Sequence, residues 1–69
     1  MLRVYVNGEA RDFPSPLSLA QLITELDLPP ARIAVELNRT VVRRGDWSAT
    51  ELNEDDRIEI VHFVGGGRS

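Results

Sequence analysis

A single short segment with helical periodicity, between Pro16 and Pro29, limits this chain to folds in which one helix packs on a sheet. Ser18 stands at the start of the segment and Gln21 follows three residues later, which is the capping-box pattern of a helix N-terminus. The apolar residues at i, i+3, i+4 and i+7 form one stripe: Leu19, Leu22, Ile23 and Leu26. Because so short a helix gains little stability from its own propensity, we expect it to dock on a sheet.

Alternating apolar and polar residues on both sides of the helix predict the strands of that sheet. The first strand is expected around Val4, and Asn7 with Gly8 predicts a type I′ turn into a second strand over residues 9–13. Further strands are expected at 33–37, briefly at 41–42 and from Arg57 onward, with a turn at 43–47 that brings Trp47 over the sheet edge. This order predicts an α+β fold, a mixed sheet of four to five strands with one main helix. A β-grasp arrangement fits, since the crossover would place the first and last strands side by side.

The last strand runs into three glycines, Gly65, Gly66 and Gly67, which are followed by Arg68 and Ser69. Glycine has no side chain to pack and loses the most backbone entropy on ordering, so these residues add nothing to stability. They would suit a thin tether that enters a channel too narrow for a Cβ atom, although a frayed terminus has the same composition. We therefore predict a β-grasp domain over residues 1–64 and a flexible C-terminal tail over residues 65–69.

Composition excludes several classes of function. The chain has no cysteine and a single histidine, which leaves no cysteine-based metal site, no thiol nucleophile and no pair of histidine ligands. Its net charge of −3 argues against nucleic-acid binding. No apolar run approaches the length of a membrane span, and the strand-like N-terminus does not resemble a signal peptide. We expect a soluble cytoplasmic protein, monomeric alone, that does not bind nucleic acid or membranes.

Several side chains could take part in catalysis or in ligand binding, but each has a simpler structural interpretation. The acidic run at 54–56 could hold a hard metal ion, although a solvated turn is the more frequent use of such a run. His62 could act as a base, yet no partner stands in an obvious relation to it in the sequence. Arg43 and Arg44 could grip phosphate and Trp47 could stack on a ligand, but a solvated turn and a core residue are the commoner roles. No catalytic or metal constellation emerges, so an enzyme is not predicted.

The outward side of the last strand is the other candidate site. If Ile58 and Ile60 point inward, Val61 and Phe63 point outward beside the glycine tether. Together with Val64 they would form a small apolar patch on which a partner could dock. The alternative, that a neighbouring loop covers them, remains open from the sequence alone.

Two stretches, residues 33–47 and 55–67, resemble the ThiS family, the sulfur-carrier proteins of thiamin biosynthesis. Asn38, Trp47 and the ending Ile-Val-His-Phe-Val-Gly-Gly-Gly are the most specific features, and the resemblance covers nearly the whole chain. It implies a ubiquitin-like β-grasp fold and puts the family's functional glycine at Gly67. The family ends at that glycine, whereas this sequence continues with Arg68 and Ser69. A polar dipeptide of this kind has no packing role. This favours the interpretation that the two residues were added to the protein over the alternatives that they are native or are removed in the cell. We expect no activity until they are removed.

The resemblance also implies partners and a reaction. A ThiF-like adenylating enzyme would use ATP and Mg to convert the carboxylate of Gly67 into an acyl-adenylate. A persulfide sulfur donor would then displace AMP to leave a thiocarboxylate, and a ThiG-like thiazole synthase would consume it. The carrier would bind no cofactor itself and would act as a protein co-substrate. Two alternatives stay open: the small subunit of molybdopterin synthase, and a ubiquitin-like interaction module that is never activated.

Overall fold

The computed structural model describes residues 1–63, which form a five-stranded mixed sheet with one α-helix across one face. The elements are β1 (Leu2–Val6), β2 (Glu9–Phe13), α1 (Leu19–Glu25), β3 (Ile33–Leu37), β4 (Thr40–Val42) and β5 (Arg57–His62). Two short 3₁₀ helices lie between these elements: Pro30–Arg32 precedes β3, and Arg44–Ala49 follows β4. The strand order β2-β1-β5-β3-β4 is that of a ubiquitin-like β-grasp, which confirms the predicted fold class.

The first and last strands lie side by side, as predicted, and both are interior strands of the sheet. β1 and β5 pair in parallel, with Tyr5 opposite Arg57 and Val6 opposite Ile58. Each also has an antiparallel neighbour, β2 for β1 and β3 for β5. β5 is therefore an interior strand of the sheet, paired with β3 up to its last residue, His62.

The turn between β1 and β2 has the predicted conformation. Asn7 and Gly8 have φ values of 49° and 85°, the left-handed backbone that a type I′ turn requires at both central positions. The turn fixes the register of the hairpin, in which Val6 faces Glu9.

Helix α1 begins at the predicted cap. The hydroxyl of Ser18 accepts from the backbone N–H of Gln21 at 3.1 Å, and the Gln21 side chain accepts from the backbone N–H of Ser18 at 2.8 Å. The helix ends earlier than Pro29, because Asp27 adopts a left-handed φ of 56°. The N–H groups of Asp27 and Leu28 donate to the carbonyls of Thr24 and Ile23, which is the Schellman pattern with aspartate in the usual place of glycine.

The core lies between α1 and the sheet face that it covers. Its buried residues come from α1, from β1, β3 and β5 and from the segment between β4 and β5. They are Leu2, Val4, Val6, Leu19, Leu22, Ile23, Ile33, Val35, Trp47, Leu52, Ile58 and Ile60. Leu26 of the predicted stripe is only half-buried, at the C-cap of the helix.

The segment around Trp47 is a 3₁₀ helix rather than the predicted turn. Its indole N–H donates to the carbonyl of Val42 at 2.9 Å, which satisfies a polar group that would otherwise be buried alone. Trp47 thus fills the core and also tethers the edge strand β4, in agreement with its expected position over the sheet edge.

Candidate partner-docking site

Strand β5 divides its side chains between the core and the outer face of the sheet, which is the face opposite α1. Ile58 and Ile60 are 0% and 7% exposed, whereas Val61 and Phe63 are 61% and 56% exposed. The predicted inward and outward directions are confirmed. Within residues 1–63 no loop covers the two outward side chains.

The apolar surface continues onto the neighbouring strands, where Ala34 is half-buried and Val41 is exposed. Ala34 of β3 lies directly opposite Val61, and Val41 of β4 shares the outer face because it pairs with Glu36, which pairs in turn with Glu59. Val41 is 67% exposed. We call Ala34, Val41, Val61 and Phe63 the outer-face patch. The sequence interpretation missed Val41 and Ala34, since their place depends on the register of β3 between β4 and β5.

Charged side chains border the outer-face patch. Glu36 and Glu59 face each other across β3 and β5, an unfavourable pairing of like charges, and Arg39 and Arg57 line the same shallow depression. The guanidinium of Arg57 lies 5.0 Å from the centre of the Tyr5 ring, within the range of a cation–π contact. An apolar centre with a charged rim is the usual anatomy of a protein–protein interface.

At the other side of the outer face, Arg3 and Asp12 form an ion pair at 2.7 Å. The hydrogen bond from Arg3 lowers the pKa of the Asp12 carboxyl below its usual value. The pair joins β1 to β2, neither of which contributes a residue to the outer-face patch, so we assign it a structural role.

The acidic run at 54–56 forms a turn, as the simpler interpretation predicted. The carboxylate of Asp56 accepts from the N–H of Asn53 at 2.7 Å and from the side chain of Asn38 at 2.9 Å, and Glu54 accepts from the N–H of Arg3 at 3.1 Å. Among residues 1–63 no group of three His, Cys, Asp or Glu side chains could hold a metal ion. In the same part of the chain, no helix is long and apolar enough to cross a membrane.

Comparison with known proteins identifies the family. The family model described as "ThiS family" matches residues 4–67. The chain belongs to the ThiS family. A crystal structure of the thiamine biosynthesis protein ThiS from Geobacter metallireducens superposes with a TM-score of 0.81 at 30% identity, covering 96% of this chain and all (100%) of that one.

Two curated relatives show different protein contexts for a ThiS-family sequence. The sulfur carrier protein ThiS of Bacillus subtilis is 36% identical over 50 residues, 72% of this chain and 76% of that protein. A thiazole synthase of Magnetococcus marinus is 42% identical over 67 residues, which are 97% of this chain but only 21% of the synthase. The chain therefore spans about a fifth of the length of that relative.

Two of the most specific residues of the ThiS resemblance have structural roles here. Asn38 bridges the β3–β4 turn and the start of β5: its amide donates to Asp56 and accepts from the N–H of Arg57, both at 2.9 Å. Trp47 belongs to the core, as described above. Neither lies in the outer-face patch.

The remaining predicted site residues lie outside the described part of the ThiS-family chain: Val64, Gly65, Gly66 and Gly67. The last described backbone contact is the N–H of Phe63, which donates to the carbonyl of Arg32 at 2.7 Å. The sheet therefore holds the chain up to Phe63, two residues before the first residue of the predicted tail, Gly65.

Proposed function

We propose that this chain is a sulfur carrier of thiamin biosynthesis, in which the carboxyl group of Gly67 is activated and then carries sulfur. The observation that carries the proposal is the match to the ThiS family, which extends to residue 67. The name of the Bacillus subtilis relative, a sulfur carrier protein, supports the same function.

The chemistry explains why a carrier needs partners. A carboxylate is a poor electrophile, because its charge is delocalised and its leaving group would be oxide. A ThiF-like adenylating enzyme would use ATP with Mg to convert the Gly67 carboxylate into an acyl-adenylate, with release of pyrophosphate. The terminal sulfur of a persulfide would displace AMP, and a thiol would then reduce the S–S bond to leave the thiocarboxylate.

The carrier would contribute position rather than catalytic groups. The five residues from Phe63 to Gly67 can span at most about 17 Å, and three of them lack a Cβ atom. Docking of the folded domain through the outer-face patch would hold this short segment near a narrow channel, which raises the effective concentration of its carboxyl group there. The electrostatic stabilisation of the reaction would come from the partner enzyme.

The comparisons favour thiazole synthase over molybdopterin synthase as the acceptor of the sulfur. In thiazole synthases of Magnetococcus marinus and Paramagnetospirillum magneticum, 21% and 20% of the length match nearly this whole chain. When a sequence like this chain is part of the same polypeptide as the synthase, the two parts are expected to act together. We therefore propose a ThiG-like thiazole synthase as the second partner.

Replacing Phe63 by alanine should weaken binding to the adenylating enzyme by about tenfold, because interface aromatics on apolar patches contribute disproportionately to affinity. The thermal midpoint should stay nearly unchanged, since the side chain is more than half exposed. Calorimetric titration and thermal unfolding would measure the two effects. Glu25→Ala, exposed on α1 at the opposite face, is the control and should leave binding intact. Unfolding of F63A would put Phe63 in the core and the docking surface elsewhere.

The adenylation step gives the experiment that tests the proposed function. With the adenylating enzyme, a form of the chain ending at Gly67 should support exchange of labelled pyrophosphate into ATP. The 69-residue chain should not, because its Gly67 carboxyl is bound in an amide to Arg68 and its free carboxyl belongs to Ser69. Deleting residues 68 and 69 removes none of the described residues. No exchange with the Gly67 form, in the presence of an active enzyme, would contradict the proposal.

A further inference from the structure

We propose that Asn7 is a positioning residue for this reaction: its side-chain amide clamps β5 at Ile60 and so fixes how the strand delivers Phe63 and the tail. The role in the reaction rests on the proposed function. The clamp itself is a feature of the described structure.

The side-chain amide of Asn7 makes the hydrogen bonds to β5 that a backbone peptide group would make if β1 were longer. β1 ends at Val6, and the backbone N–H of Asn7 still donates to the carbonyl of Ile58 at 2.8 Å before the chain turns away at Gly8. The side chain then continues the pairing one step further. Its Oδ1 accepts from the N–H of Ile60 at 2.7 Å, and its Nδ2 donates to the carbonyl of Ile60 at 3.2 Å.

Within residues 1–63, these two bonds are the last that β5 makes with the β1–β2 hairpin. The backbone bonds Asn38–Arg57 and Arg32–Phe63 lie at the two ends of the β3–β5 ladder, so residues 57, 59, 61 and 63 turn their peptide groups toward β3. Residues 58, 60 and 62 therefore turn theirs toward β1, whose pairing with β5 extends only to Ile58. Beyond Ile60, the described part of β5 is held by β3 alone.

The choice of asparagine fits this second role. Glycine would suit the left-handed backbone of the turn at least as well, since it has no Cβ atom to strain a φ of 49°. Only a side-chain amide at this length offers both a donor and an acceptor, in the same planar group as a peptide. Aspartate would keep the acceptor but put a second oxygen against the carbonyl of Ile60.

Loss of the clamp would let β5 fray from its C-terminal end. Val61 and Phe63 would then lose their fixed direction, while α1 and β1 stay in place. Because small errors in the placement of a reacting group reduce rates strongly, the reaction at Gly67 should suffer more than the stability of the domain.

The chain offers a matched control for this test. Asn38 also sits in a tight turn with a left-handed φ, here 50°, and its amide makes one donated and one accepted hydrogen bond, but at Arg57. The variants N7G and N38G thus each remove one such amide, from opposite ends of β5. N7D is a second variant at Asn7, which keeps the acceptor oxygen and removes the donor.

We would first measure amide hydrogen exchange in the 69-residue chain, corrected for the change in global stability of each variant. N7G should speed exchange at Ile60 by at least about tenfold and at Phe63 by about threefold, whereas N38G should affect Arg57 and spare both. In the forms ending at Gly67, kcat/KM for adenylation should fall by about tenfold in N7G and N7D and by less than about twofold in N38G.

Equal losses of rate in N7G and N38G would overturn the proposal, since they would reflect general destabilisation. So would a wild-type rate in N7G, or failure of both Asn7 variants to fold. If the unsubstituted form is itself never adenylated, the proposed function fails, and the role of Asn7 in the reaction fails with it. The exchange data still decide whether the clamp exists.

Discussion

Replacing Leu22 by alanine should lower the free energy of unfolding by about 2–5 kcal/mol, the range for a buried leucine whose site cannot collapse fully. Leu22 is 0% exposed and belongs to the core cluster that joins α1 to the sheet. A domain of this size has only a modest total stability, so a loss of this size would leave a large fraction of molecules unfolded.

Urea denaturation followed by the fluorescence of Trp47, which is buried in the same core, would measure this loss. Glu25→Ala on the exposed side of α1 is the control and should change stability by less than about 0.5 kcal/mol. A loss of less than about 0.5 kcal/mol in L22A would mean that the helix does not pack on the sheet through this face.

The parts of the fold that follow from local chemistry were predicted correctly from the sequence. Asn7 and Gly8 specify a turn with positive φ, Ser18 and Gln21 specify a helix start, and the alternation at Ile58 and Ile60 specifies which face of β5 is buried. In each case the sequence pattern that gives the information lies within a few neighbouring residues, so the residue types alone were enough for the prediction.

The parts that depend on contacts between distant residues were not predicted. The end of α1 is an exception, since the left-handed Asp27 is a local feature. It was missed because Pro29 and Pro30 already account for a helix end in the sequence. The clamp between Asn7 and Ile60 joins residues 53 positions apart, and the turn alone already accounts for an asparagine at position 7. No residue near Asn7 in the sequence indicates that its side chain also binds Ile60.

The candidate site was predicted only in part, for the same reason. The period of two along β5 was enough to place Val61 and Phe63 on the outer face. Val41 required the register of the β3–β4 hairpin, which is set by a turn with Asn38 and Arg39 both at positive φ. The predictions for Val64 and the three glycines, and the boundary between domain and tail, concern residues outside the described structure and remain proposals.

Transfer of sulfur to the carboxyl group of Gly67 can be measured directly as a change in the mass of the protein. The form ending at Gly67 and the 69-residue chain would each be incubated with the adenylating enzyme, ATP, Mg and a persulfide sulfur source with a reducing thiol. Exchange of one carboxylate oxygen for sulfur adds about 16 Da to the intact protein.

The effect should be all or none. In the 69-residue chain the Gly67 carbonyl is an amide, and a channel shaped for glycine would clash with the Cβ atom of Ser69 and with the guanidinium of Arg68. Addition of a thiazole synthase should then remove the added mass from the carrier, because the sulfur passes to the thiazole ring.

The decisive measurement is therefore the intact mass of the two forms after this incubation. The form ending at Gly67 should gain about 16 Da, and the mass of the 69-residue chain should not change. A thiocarboxylate on the 69-residue chain, or a Gly67 form whose mass never changes with competent partners, would contradict the proposed function.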